Sequence, residues 1–151
     1  MIDELEALYR ERVQDFRRVA AAIAGDRELG CDAVQDAFAR AVRNRRSFRG
    51  SGTLEAWVWR IVVNAARDAR RQRDPESASN NLLLGASERR DDALPLGLLT
   101  DRQREIVFLH YYADLDYATI ADALAISTGT VGATLHAARQ ALRGALEEVR
   151  T

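Results

Sequence analysis

The chain has 151 residues, 47% of them hydrophobic, and a formal net charge of −1, enough to bury one ordinary core or a pair of small ones. A single cysteine, Cys31, excludes an internal disulfide framework and fits a reducing compartment. The acidic N-terminus, followed by no apolar run of membrane-spanning length, leads us to expect a soluble cytoplasmic protein.

Only two prolines and few β-branched runs predict an all-α fold. A first amphipathic helix is expected from about Asp3 to Ala24, with Leu5, Tyr9, Val13, Phe16, Ala20 and Ile23 on one face. Gly25 and Asp26 break it. A second helix is expected from Asp32 to Arg46, its apolar side made of Val34, Ala37, Phe38, Ala41 and Val42. The turn at residues 50–53 ends in Thr53, a plausible N-cap for a third helix from Leu54 to about Gln72. In that helix, at about 100° per residue, Leu54, Val58, Ile61, Val62, Ala65 and Ala69 share one arc. Trp57, Arg60, Asn64, Arg67 and Arg71 share another. Residues 74–93 have linker composition, with Leu82, Leu83 and Leu84 as a patch suited to local packing. A second helical unit is expected over 94–151. It opens with a Thr100–Gln103 capping box ahead of Ile106, Val107 and Leu109.

Within this second unit, Ala121, a break near Ala125 and the β-branched Val131 have the spacing of a helix-turn-helix. The small residue permits a close crossing, and Val131 anchors the second helix on the first. Such a unit lays its second helix in the major groove of DNA.

Charge is distributed unevenly. All 22 basic residues are arginines, and ten lie between Arg40 and Arg73 against two acids, Glu55 and Asp68. A local block near +8 in a nearly neutral chain is the electrostatic footprint of a nucleic-acid site. The stripe on the third helix sharpens that reading. Arginines pair with phosphates, an asparagine can read a base edge, and an indole can stack on an unpaired base. A solvated helix face would have little use for the indole.

These features together resemble the sigma factors of bacterial RNA polymerase, of the small extracytoplasmic-function type. Residues 8–73, including DAVQDAFARA (32–41) and FRGSGTLEAWVWRIVVNAARDARRQR (48–73), resemble the second region of that family. Residues 94–143, including LTDRQREIVFLHYY (99–112) and DYATIADALAISTGTV (116–131), resemble the fourth. The resemblance implies two small helical domains, 1–73 and 94–151, joined by a flexible linker at 74–93, the C-terminal one a helix-turn-helix. It also implies promoter-specific transcription initiation with core RNA polymerase and promoter DNA as partners, and an anti-sigma factor as a further candidate partner.

Residue by residue, the resemblance assigns Asp32, Gln35, Asp36 and Phe38 to docking on core polymerase. It assigns Phe48, Arg49, Trp57, Arg60 and Asn64 to the minus-ten element, and Arg67 and Arg71 extend the same stripe. For a minus-thirty-five element the candidates are Thr128, Thr130, Val131, His136, Arg139 and Arg143. The chain departs from the family in this last part. Gly132, Thr134 and Ala137 stand where many members carry Lys or Arg, and Ala125 replaces the usual turn glycine. Residues 94–151 carry a net charge of about −2, so minus-thirty-five recognition is the weakest inference.

Nothing in the sequence suggests an enzyme, a cofactor or a metal. No nucleophile stands beside a base, no glycine-rich phosphate loop is present, and His110 and His136 lack partners at ligand spacing. Cys31 has no partner cysteine for redox sensing, and Trp59 points away from the stripe toward packing. Two other readings stay open: a free-standing helix-turn-helix regulator, and an inactive sigma-like interaction protein. Residues 32–43 separate the first of these, because an autonomous repressor needs no polymerase-docking face.

Overall fold

A computed structural model describes residues 1–73 and 96–150. The expected linker and its leucine patch at 82–84 fall outside the described residues. Helix α1 spans Ile2–Ala24 and ends where Gly25 adopts the left-handed conformation, φ 83°. Helix α2 spans Arg27–Arg43, and the Asp26 side chain caps it by accepting from Leu29 N at 2.9 Å. A 3₁₀ turn, Arg45–Ser47, leads to helix α3, Leu54–Arg73. In the second unit a 3₁₀ turn, Leu96–Leu98, precedes helix α4, Asp101–Val107, and a π-helical turn, Phe108–Tyr112. Helix α5, Tyr117–Leu124, and helix α6, Thr128–Arg150, complete it. The described residues contain no strand, as an all-α fold requires.

Helix α2 begins five residues earlier than the sequence pattern predicts and stops at Arg43 rather than Arg46. The Asp26 cap sets the early start, and the added turn crosses α1 closely. Gly30, inside the helix, lies so near α1 that a Cβ there would stand 2.5 Å from Ala21 Cα. A glycine at this position lets two backbones approach. Cys31 therefore sits within the helix and not at its start.

The core of the first unit is Phe16, Val19, Ile23, Val34, Trp59 and Val62 with their neighbours. Phe16 packs against Trp59, ring centroids 4.4 Å apart, so Trp59 has the packing role expected of it. Helix α3 buries a wider surface than the single arc predicts. Ala56, Trp59, Val63 and Ala66 are buried as well, whereas Leu54, Ile61 and Ala69 are only partly so. The helix is covered from more than one side, because α1 and α2 pack on it together and α5 also lies against it.

The second unit buries Ile106, Leu109, Ile120 and Leu135. Helices α5 and α6 meet at a bend of 104°, as a helix-turn-helix requires. Ala125 makes that turn with φ 59° and ψ 45°, a left-handed conformation that an alanine adopts at a cost of about 1 kcal/mol. Buried side chains of both units form one contiguous apolar cluster. Among the described residues no single helix is long and apolar enough to cross a membrane.

Candidate nucleic-acid interface

The start of α3 is fixed by Thr53, whose hydroxyl accepts from Ala56 N at 3.1 Å. This cap aims the first turn of α3 back at the loop 47–51. Phe48 and Trp57 meet there, ring centroids 5.5 Å apart at 49°. With Arg49, Arg60 and Asp122 they line a cavity of about 340 Å³. Two aromatic walls and a cationic rim are the features that single-strand capture calls for: stacking on π-faces and contact with the backbone charge. Asn64 and Arg71 are exposed further along the same face.

Arg60 and Arg67 are both engaged by the second unit, although Arg60 stays exposed. Arg60 donates to the carbonyls of Ala123 (3.3 Å) and Asp122 (2.5 Å) at the C-terminal end of α5, where the helix dipole is negative. Arg67 grips Glu105 through a fork, Nε to Oε2 at 2.7 Å and Nη2 to Oε1 at 2.5 Å, and also reaches Asn64 Oδ1 at 3.3 Å. The Glu105 hydrogen bonds, working against partial desolvation, hold the Arg67 guanidinium above its ordinary value. Arg70, outside the expected stripe, pairs with Asp101 at 3.3 Å. Sequence spacing within α3 contained no trace of these partners, which lie on α4 and α5.

On α2, Asp32, Gln35 and Asp36 are exposed along one face. Asp32 and Asp36 border a groove of about 490 Å³ between α2 and α3, floored by Ala33, Ala65 and Ala69. Asp36 pairs with Arg40 at 2.8 Å. Phe38 turns the other way, its ring edge-on to Tyr9 and Phe16 at 5.0 and 5.2 Å.

In the helix-turn-helix, Ser127 caps α6 by accepting from Thr130 N at 3.0 Å, and its hydroxyl also meets that of Thr130 at 2.8 Å. Thr128, Thr130, His136, Arg139 and Arg143 are exposed on α6. Val131 is not a DNA-contacting residue: it is 0% exposed and packs in the core, where a β-branched anchor belongs. Gly132 lies beside the Tyr117 ring, at a distance where a Cβ would make ordinary contact with it, 3.4 Å. The sequence reading missed the aromatic cluster beside it. The π-helical turn leaves Tyr111 and Tyr112 exposed, and the Tyr111 hydroxyl accepts from Arg139 Nε at 2.8 Å. That hydrogen bond raises the Arg139 guanidinium. The described residues contain no cluster of His, Cys, Asp and Glu able to hold a metal ion.

Comparison with known proteins agrees with this geometry. Residues 8–76 match the family model Sigma-70 region 2, and residues 96–142 match Sigma-70, region 4. The chain is 26% identical to RNA polymerase sigma factor YlaC of Bacillus subtilis, over 93% of this chain and 91% of that one. It is 28% identical to ECF RNA polymerase sigma factor SigL of Mycobacterium tuberculosis, over 96% and 90%. Among solved structures, CnrH in complex with the cytosolic domain of CnrY superposes with TM-score 0.76 at 24% identity, over 98% of this chain and 90% of that one. The sigma factor RpoE of Bartonella quintana, in complex with the anti-sigma factor NepR, gives TM-score 0.70 at 19% identity, over 95% and 97%. With both regions matched in order and the helices in place to carry them, the chain belongs to the sigma-70 family of RNA polymerase sigma factors, of the extracytoplasmic-function type.

Proposed function

We propose the following division of labour for this sigma factor. The exposed face Asp32–Gln35–Asp36 of α2 docks on core RNA polymerase, and Phe38 holds that face in register by locking α2 onto α1. Phe48 and Trp57 take up an unstacked base of the minus-ten element, with Arg49 and Arg60 at the pocket rim. Asn64 reads a base edge, while Arg67 and Arg71 meet the strand's phosphates. Helix α6 contacts upstream duplex through Thr128, Thr130, His136, Arg139 and Arg143, with few cations. An anti-sigma factor is a further partner, by likeness to the fold of the Bartonella complex. The chain works in the cytoplasm and performs no chemistry itself, because phosphodiester synthesis belongs to the polymerase.

The observation that carries this reading is the aromatic-walled, arginine-rimmed cavity at the head of α3. Opening a duplex costs a few kcal/mol for each extruded base, and such a pocket offsets that cost. Docking is tested by Asp36→Arg, which reverses a charge on the exposed face. Pull-down with core polymerase should show clear loss of association, while circular dichroism stays that of the native chain. A folded variant that binds core undiminished would remove Asp36 from the interface.

A further inference from the structure

Helix α6 comes to its assigned contact with upstream duplex short of cations. Between Thr128 and Glu147 it carries two, Arg139 and Arg143, because Gly132, Thr134 and Ala137 supply none. The two are not held alike. Arg143 is exposed and has no hydrogen bond or ion pair among the described residues. Arg139, also exposed, is held from outside its own helix. Its Nε donates to the Tyr111 hydroxyl at 2.8 Å, and its guanidinium carbon lies 5.8 Å from the centre of the Tyr111 ring.

Tyr111 is itself braced. It belongs to the π-helical turn Phe108–Tyr112, which closes with Ala113 N bonding to Phe108 O at 3.2 Å. Turns of this kind recur at functional sites. The Tyr111 ring leans edge-on against His110, centroids 4.7 Å apart, and His110 lies edge-on to Tyr117 at 5.6 Å. His110 is pinned in turn, its Nδ1 3.1 Å from the Leu115 carbonyl. Tyr111 is 54% exposed, so this bracing serves little burial.

The chemistry of the guanidinium gives the bracing a use. An exposed arginine loses rotamer freedom when it takes hold of a phosphate, and that loss weakens binding. Fixing the Nε edge beforehand removes part of the loss. Both terminal Nη groups stay available, and together they can take two phosphate oxygens as a fork. We propose that Tyr111 is a positioning residue for duplex binding, its hydroxyl holding the Arg139 guanidinium ready for a backbone phosphate upstream of the minus-ten element. The second unit thus offsets its missing cations by preorganising one that it has. This inference rests on the reading of α6 as the duplex-contacting helix given above.

The test uses the full-length chain and a short fluorescein-labelled DNA duplex of random sequence, read by anisotropy over a salt series. Tyr111→Phe deletes the hydroxyl and keeps the ring. It should weaken binding about fivefold at fixed salt and leave the salt slope as it is, since no charge is lost. Arg139→Gln should lower the slope by about 0.9, the share of one phosphate contact. In the Arg139→Gln chain, adding Tyr111→Phe should change nothing further. In an Arg143→Gln chain it should weaken binding by the same factor as in the native one, because that cation has no tie to Tyr111. Tyr112→Phe removes a neighbouring exposed hydroxyl, whose ring stacks on Phe108 at 5.2 Å, and should bind like the native chain. Native affinity in Tyr111→Phe would overturn the proposal. So would an equal loss with and without Arg139, since the hydroxyl would then act for itself or for the fold. A slope lowered by Arg143→Gln but not by Arg139→Gln would overturn it too, and would spare the reading of α6. If neither change moves affinity or slope, α6 does not meet duplex, and the role of Tyr111 falls with that reading.

Discussion

At the scale of single residues, Ala125 shows how a departure from the family pattern is absorbed. The turn between α5 and α6 needs φ > 0, and this chain makes it with an alanine at φ 59°. The backbone carries the cost, because Cβ crowds the carbonyl in that conformation. Ile126 N still bonds to Ala121 O at 2.9 Å, so the turn is complete and merely strained. Ala125→Gly should therefore stabilise the chain by about 1 kcal/mol, offset in part by glycine's greater freedom when unfolded. Urea denaturation of the full-length chain reads this directly. A loss of stability would mean that the unfolded-state entropy outweighs the strain. Val131 and Gly132, adjacent residues, teach a second lesson. The family resemblance put both on the DNA side, yet Val131 is core and Gly132 lies against the Tyr117 ring.

At the scale of elements, the capped starts at Thr53 and Thr100 were legible in the sequence, because a cap is a local device, whereas both ends of α2 were not. Thr53, Thr100 with Gln103, and Asp116 each cap the helix that follows. Asp116 accepts from Thr119 N at 2.8 Å, and the Thr119 hydrogen bonds hold its carboxyl below the usual carboxylate range. The sign of the linkage follows. A depressed folded-state value means that the contribution is fully present above about pH 4, the unfolded value, and is lost as pH falls through the folded one. Asp116→Ala should cost about 1 kcal/mol at neutral pH. The difference between native and variant chains should shrink in acid, as followed by thermal unfolding at pH 7 and pH 3. A gap that persists unchanged in acid would show that the charge is not what caps α5. Element faces were harder to read than those capped starts. The apolar period of α3 gave one arc, but a helix packed on several sides has no single buried stripe. The apolar pattern puts the start of α2 five residues late, although Asp26 caps it by accepting from Leu29 N.

At the scale of the whole molecule, nothing periodic announces that the two units touch. The fork between Arg67 and Glu105 joins residues 38 positions apart, and the hydrogen bond from Arg60 to the Asp122 carbonyl spans 62. Each of these residues reads alone as solvated or DNA-facing. What the sequence does carry is the charge imbalance, a basic first unit and an acidic second one, which the structure resolves into particular ion pairs. The fork is the pair most open to measurement, because Glu105 is buried and its carboxylate needs a partner. Removing Arg67 alone strands that carboxylate, so Arg67→Ala should destabilise more than loss of one hydrogen bond would. Removing both groups should cost less than the two single changes added together. A double-mutant cycle of Arg67→Ala and Glu105→Gln, followed by urea denaturation, should give a coupling energy of about 2 kcal/mol. That coupling should decline only modestly between 0.05 and 0.5 M salt, roughly a tenfold range, because screening is weak for a partly buried pair. A surface pair of the Glu6–Arg10 kind, at 2.6 Å but with both side chains exposed, should give under about 1 kcal/mol and lose most of it in salt. If Arg67 and Glu105 behave like that surface pair, the fork contributes little to holding the units together. Closure would then have to rest on the apolar cluster they share.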